Sequence, residues 1–214
     1  MTAPAVTVDV FSDVVCPWCF LGKRNLEAAL PLLGDLAVEV RWRPFQLDPT
    51  IPPEGKDRTR YMLDKFKDPA RIEAAHHRLE TLGADRGIGF AFDRIKIAPN
   101  SLDAHRLIRW AAESGRQSEV VEGLFSAFFE KGHDLSLPET LVAVATDAGL
   151  DPDAVAADLA SDRDVEAVLA EIAYAGRLGI TGVPCYVLAG RYAVSGAQPP
   201  EVLADAIRQA AQPA

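Results

Sequence analysis

Cys16 and Cys19 flank Pro17 and Trp18, and this motif lies between an alternating apolar stretch and a helical one. A helix starting at the pair would carry both sulfurs on one turn, close enough to form a disulfide. The free N–H groups and dipole at a helix N-terminus favour a thiolate on the first cysteine, and such sites bring the pKa from about 8.5 to roughly 3.5–7.5. Proline suits the first helical turn, where its missing N–H leaves nothing unpaired. On this reading Cys16 is the exposed, attacking thiol and Cys19 the resolving one. Spacing alone leaves two other uses open. Half of a zinc site would need a second Cys-x-x-Cys or matching histidines, yet His76 and His77 have no cysteine nearby and His133 stands alone. Two inert buried thiols would make the strand–motif–helix context an accident.

The elements that must hold the pair are legible on both sides of it. Residues 6–11 alternate apolar and polar, Leu26, Ala29 and Leu30 fall at helical spacing, and residues 38–43 alternate again. That is a βαβ unit, which implies parallel strands joined by a right-handed crossover. From residue 57 to 178 the pattern is helical with no convincing strand. Ala104, Leu107, Ile108 and Ala111 make one apolar stripe, and Val121, Leu124, Phe125 and Phe128 another. Ser136 to Glu139 has capping-box spacing, Asp151 before Pro152 suits a helix start, and Gly115, Gly132 and Gly149 suit helix ends. Residues 183–188 and 191–194 read as a hairpin turning at Ala189-Gly190, with a closing helix from Pro199 to Ala211. The expected architecture is α/β, with residues 1–56 and 179–214 forming one sheet-containing domain. Residues 57–178 form a large all-helical insertion packed over the active-site end of the sheet.

The 214 residues suffice for a core without staples, and the hydrophobic share of 49% is ordinary for a soluble domain. A net charge of −9 argues against nucleic acid, whose binding rests on Lys and Arg meeting phosphates. No apolar run is long enough to span a membrane. No basic and apolar leader precedes the first strand, so a cytoplasmic location is expected. Three cysteines fit a reducing compartment, where a close pair points to catalysis or metal.

The stretch from Phe11 to Cys19, with residues 43–47 and Gly182-Val183-Pro184, resembles the DsbA superfamily. Within it the chain is similar to the FrnE-type branch, grouped with 2-hydroxychromene-2-carboxylate isomerases and kappa-class glutathione transferases. The likeness runs over nearly the whole chain, including the segment from Asn100 to Arg106. It implies a thioredoxin-like fold, a Cys-Pro-Trp-Cys redox centre, and a cis Pro184 facing the pair. Val183 would then offer its backbone to an extended substrate. The implied activity is thiol–disulfide exchange on thiol- or disulfide-containing proteins or small molecules. The resemblance implies no bound cofactor, with glutathione or another thiol as the expected co-substrate. The rival implied by the same relatives is a glutathione-dependent isomerase or transferase of an aromatic metabolite. Those relatives carry serine where Cys16 stands and have no need of Cys19.

Four further residues can shape the site. Trp18, taken as exposed, would meet apolar or peptide substrates. Asp13 would raise the Cys16 pKa if close. His105 beside its apolar stripe is a helper on the substrate side. Cys185 is either a third redox thiol or a small residue filling the sheet.

Overall fold

The computed structural model describes residues 6–212. Residues 1–5 and 213–214, counted above with the sheet-forming domain, lie outside the described residues. Strand β1 (Val6–Ser12) leads to helix α1 (Pro17–Ala29) and strand β2 (Val38–Pro44), and β1 and β2 pair in parallel from Val6↔Val38 to Ser12↔Pro44. Strands β5 (Cys185–Leu188) and β6 (Tyr192–Ser195) complete the sheet in the order β2-β1-β5-β6, where numbers three and four belong to a separate ladder. At the hairpin turn Ala189 and Gly190 have φ of 50° and 64°, and Arg191 N–H donates to Leu188 O at 3.0 Å. Two successive left-handed residues match the right-handed strand twist.

Alternation along β1 sorts its side chains. Val6, Val8 and Val10 join the main core with α1 and the last helix, α9 (Pro200–Ala210). Phe11 points to the other face, where it packs with Cys185 and Ala175.

Between β2 and β5 the chain is a helical insertion: α2 (Arg58–Phe66), α3 (Pro69–Ala84), α4 (Leu102–Glu113), α5 (Gln117–Phe125), α6 (Pro138–Asp147), α7 (Pro152–Leu159) and α8 (Val165–Arg177). It is not wholly helical. Lys56–Asp57 (β3) pairs antiparallel with Ile97–Ala98 (β4), a ladder too short for periodicity to reveal. This ladder is separate from the central sheet. Both apolar stripes are buried, although the second continues from α5 into a π-helical turn, Ser126–Glu130. Asp151 caps α7 by accepting from Asp153 N–H at 3.0 Å. The capping box at Ser136 does not form, because Asp134 takes the Ser136 hydroxyl and Leu137 is the residue at the cap of α6. Gly115, Gly132 and Gly149 have φ of 70°, 71° and 85°, as helix-ending glycines require.

Aromatic rings join the insertion to α1. Phe20 stacks on Phe125 at 5.0 Å and meets Phe90 edge-on at 5.9 Å. Lys23, almost wholly buried, is paired with Glu122 of α5 at 2.8 Å and with Glu27. The helix that carries the cysteines is therefore fixed by the insertion as well as by the sheet.

Candidate active site

Strand β1 ends at Ser12, and Asp13 O accepts the Cys16 N–H at 3.0 Å in the tight connection that follows. Cys16 is the N-cap residue of α1, in an extended conformation with φ −97° and ψ 111°. Cys16 O accepts Cys19 N–H at 3.0 Å, which sets the two thiols on one turn. Pro17 occupies the first helical position.

Both thiols are buried, Cys16 at 5% exposure and Cys19 at 1%. Cys16 is thus less exposed than expected, because the insertion roofs the motif. The difference between the two is one of outlook. Cys16 lines a cavity of about 410 Å³, whereas Cys19 lies behind it in the core. Burial pushes the Cys19 thiol well above its ordinary pKa, and the adjacent Cys16 pushes it further, against smaller opposing pulls from the Ser12 hydroxyl and the Asp13 backbone.

The segment before β5 closes over the pair. The Val183–Pro184 peptide is cis, and Cys16 Sγ lies 3.7 Å from Val183 O. Pro184 rests on α1 at Gly22: a Cβ there would stand 2.8 Å from Pro184 Cγ and 2.5 Å from the Tyr186 hydroxyl.

The chain belongs to the DSBA-like thioredoxin domain family, whose profile matches residues 7–208. It is similar to a probable DsbA oxidoreductase from Streptomyces coelicolor, at 32% identity and a TM-score of 0.88 over 96% of this chain and 89% of that one. An uncharacterized Bacillus subtilis protein, YwbO, is 28% identical over 94% of this chain and 96% of its own. A cytosolic disulfide reductase from Pseudomonas aeruginosa, solved with GSH, shares the fold with a TM-score of 0.65 and 21% identity over 94% of this chain and 99% of that one.

The remaining candidates divide around this site. Trp18 is half-buried rather than exposed, since the Arg78 guanidinium from α3 lies 5.5 Å from its ring centre. Asp13 is buried and committed to backbone: its Oδ2 accepts Leu47 N–H at 2.8 Å and its Oδ1 accepts Val15 N–H at 3.4 Å. His105 Nε2 is 2.9 Å from Phe45 O and 3.6 Å from Asp13 Oδ1. It reaches the cavity only through Asp13. Cys185 lies on the opposite sheet face from the pair, and burial raises its thiol pKa. Among the described residues no three metal-binding side chains lie together.

Asp13→Ala is expected to cost about 1–3 kcal/mol, because the Leu47 and Val15 N–H groups lose the buried side chain that accepts from them. Urea unfolding checks this, and an unchanged midpoint would show that the Asp13 bonds carry no weight.

Sequence reasoning missed two neighbours of the pair. Tyr186 is fully buried, its hydroxyl has no hydrogen-bond partner among the described residues, and burial, followed by the charges of Cys19, Cys185 and Cys16, raises its pKa. Ser12 has a buried hydroxyl beside Cys19. Alternation placed Tyr186 opposite Cys185, which was the available signal. It missed the cavity wall from α2 and α3 as well, for helical periodicity does not tell which face closes on a distant cysteine.

Proposed function

We propose that the protein is a thiol–disulfide oxidoreductase in which Cys16 attacks and Cys19 resolves. The observation that carries this reading is a pair of thiols on the first turn of α1, one opening on a cavity and the other sealed behind it. The Cys16 thiolate attacks one substrate sulfur and expels the other as a thiolate. Cys19 then gives up its proton and attacks Cys16 Sγ, releasing the second substrate thiolate and leaving a Cys16–Cys19 disulfide. Burial keeps the Cys19 proton in place until the mixed disulfide forms, which delays premature ionisation of the resolving thiol. Val183 O beside Cys16 supports a role for that backbone in seating the substrate.

The reaction needs no bound cofactor, and glutathione or another thiol can return the disulfide to the dithiol. Three thiols without a framework of paired cysteines suit a reducing compartment, so we place the reaction in the cytoplasm. A glutathione-dependent isomerase needs one nucleophile, and a second thiol one turn away gives it nothing. The dithiol reading uses both.

Two measurements test the assignment. Reduced protein treated with bis(2-hydroxyethyl) disulfide is expected to lose two hydrogens in mass through a Cys16–Cys19 bond, with Cys185 still open to alkylation after unfolding. Alkylation across pH should modify Cys16 first, with Cys19 reacting only above the ordinary thiol range. Faster reaction at Cys19 throughout would reverse the roles, and no intramolecular disulfide would remove the reading.

A further inference from the structure

The cavity in front of Cys16 has features that thiol exchange alone does not require. Its volume, about 410 Å³, falls within the range of small-ligand sites, roughly 300–1,000 Å³. Cys16 is 5% exposed, so a reacting sulfur must enter this chamber to reach it. The walls are aromatic: His76 stacks on Phe92 with ring centres 4.0 Å apart and planes 10° from parallel, and Phe129 meets Phe92 edge-on at 6.1 Å. All three rings line the chamber.

The charges on that lining are unbalanced. Arg58, Lys65 and Arg71 face it together with Asp13 and Asp48. Both carboxylates are already engaged, Asp13 with Leu47 N–H at 2.8 Å and Asp48 with the Thr50 hydroxyl at 2.6 Å. None of the three cations has an ion-pair partner among the described residues, although Lys65 Nζ donates to the Tyr61 hydroxyl at 3.0 Å. Arg58 is the most enclosed of them. Arg58 and His76 line the same chamber; burial lowers the pKa of both, and the Arg58 charge lowers His76 further. A partly buried guanidinium without a counter-ion is costly unless an anion arrives with the ligand.

We propose that the chamber selects low-molecular-weight aromatic carboxylates bearing a thiol or disulfide, with Arg58 binding the carboxylate while the sulfur meets Cys16. The proposal rests on the oxidoreductase reading and names its substrate class. The ring stacks on the His76–Phe92 wall, and Arg58 offers the planar, two-pronged donor set that a carboxylate accepts. Exchange follows the same balance: reduced enzyme gives two electrons to the aryl disulfide, two aryl thiolates leave, and the Cys16–Cys19 disulfide remains. A dithiol reductant regenerates the enzyme.

The test compares two aryl disulfides, dithiobis(nitrobenzoate), which is carboxylated, and dithiodipyridine, which is not. Aryl-thiolate release by reduced enzyme in single turnover gives a half-saturation concentration and a limiting rate for each, with Cys16→Ser as background. Arg58→Gln is expected to raise half-saturation for the carboxylated disulfide by about tenfold or more, the loss of a hydrogen bond to charge, and to leave its limiting rate and both constants for dithiodipyridine unchanged. Arg58→Lys should restore part of the difference. Naphthoate, which has no sulfur, should slow iodoacetamide alkylation of Cys16 in the wild type and fail to do so in Arg58→Gln. Equal effects on both disulfides, or protection that survives Arg58→Gln, overturn the role of Arg58. If the wild type releases no thiolate from either disulfide while naphthoate still protects Cys16, the oxidoreductase reading fails and carboxylate binding stands. If Arg58→Gln is misfolded by circular dichroism, the Arg58→Lys comparison and wild-type naphthoate protection decide.

Discussion

Cys16→Ser is expected to lower thiol–disulfide exchange by a thousandfold or more, the scale on which removal of a covalent nucleophile is felt. A serine hydroxyl is a far weaker nucleophile near neutral pH, and the position would lose the sulfur that opens on the cavity. Cys19→Ser should behave differently. Cys16 would still attack, but nothing on the same turn could displace the substrate, and the mixed disulfide would accumulate. Mass spectrometry of the two variants after exposure to a small disulfide separates these outcomes: no adduct on Cys16→Ser, one stable adduct on Cys19→Ser. Cys185→Ser, on the opposite sheet face with Phe11 and Ala175, should exchange at the wild-type rate. Wild-type turnover in Cys16→Ser, or loss of turnover in Cys185→Ser alone, would move the reactive centre elsewhere.

Gly22→Ala is expected to cost about 1–3 kcal/mol of stability and to impair exchange, although residue 22 carries no chemistry. The added Cβ would stand 2.5 Å from the Tyr186 hydroxyl and 2.8 Å from Pro184 Cγ, closer than atoms in contact allow. Tyr186 is sealed in the core and Pro184 is ring-bound, so the relief falls on the segment holding Val183 against Cys16. Gly176→Ala provides the control of opposite sign. It lies near the end of α8 with open space around its Cβ position, and the change should stabilise by up to about 1 kcal/mol through helix propensity. Thermal unfolding of both variants checks the pair. Equal stability of Gly22→Ala and wild type would show that Pro184 yields without cost.

The sequence by itself determined those features that depend on near neighbours in the chain. Alternation in residues 6–11 and 38–43 fixed two parallel strands, and the helical stripes fixed which faces of α4 and α5 are buried. The Cys-x-x-Cys spacing determined that two thiols share one turn, because one turn of helix has a fixed rise and pitch. Tertiary structure alone decided what surrounds them. Residues 43–47 and 100–106 were both part of the family resemblance, yet their meeting appears only in the fold, where Gln46 donates to Asn100 Oδ1 at 3.0 Å and Asn100 donates to Ile51 O at 2.6 Å. Cys16 was read as exposed, and an insertion beginning some forty residues later covers it. Cys185 adjoins Pro184 in the chain but faces away from the pair, whereas Tyr186, the next residue, faces toward it. Local patterns set the period of an element and the direction of its side chains. Which charged residues from α2 and α3 line the cavity in front of Cys16 depends on long-range packing of apolar faces, and hydrophobic burial is non-directional until shape and close packing select one partner.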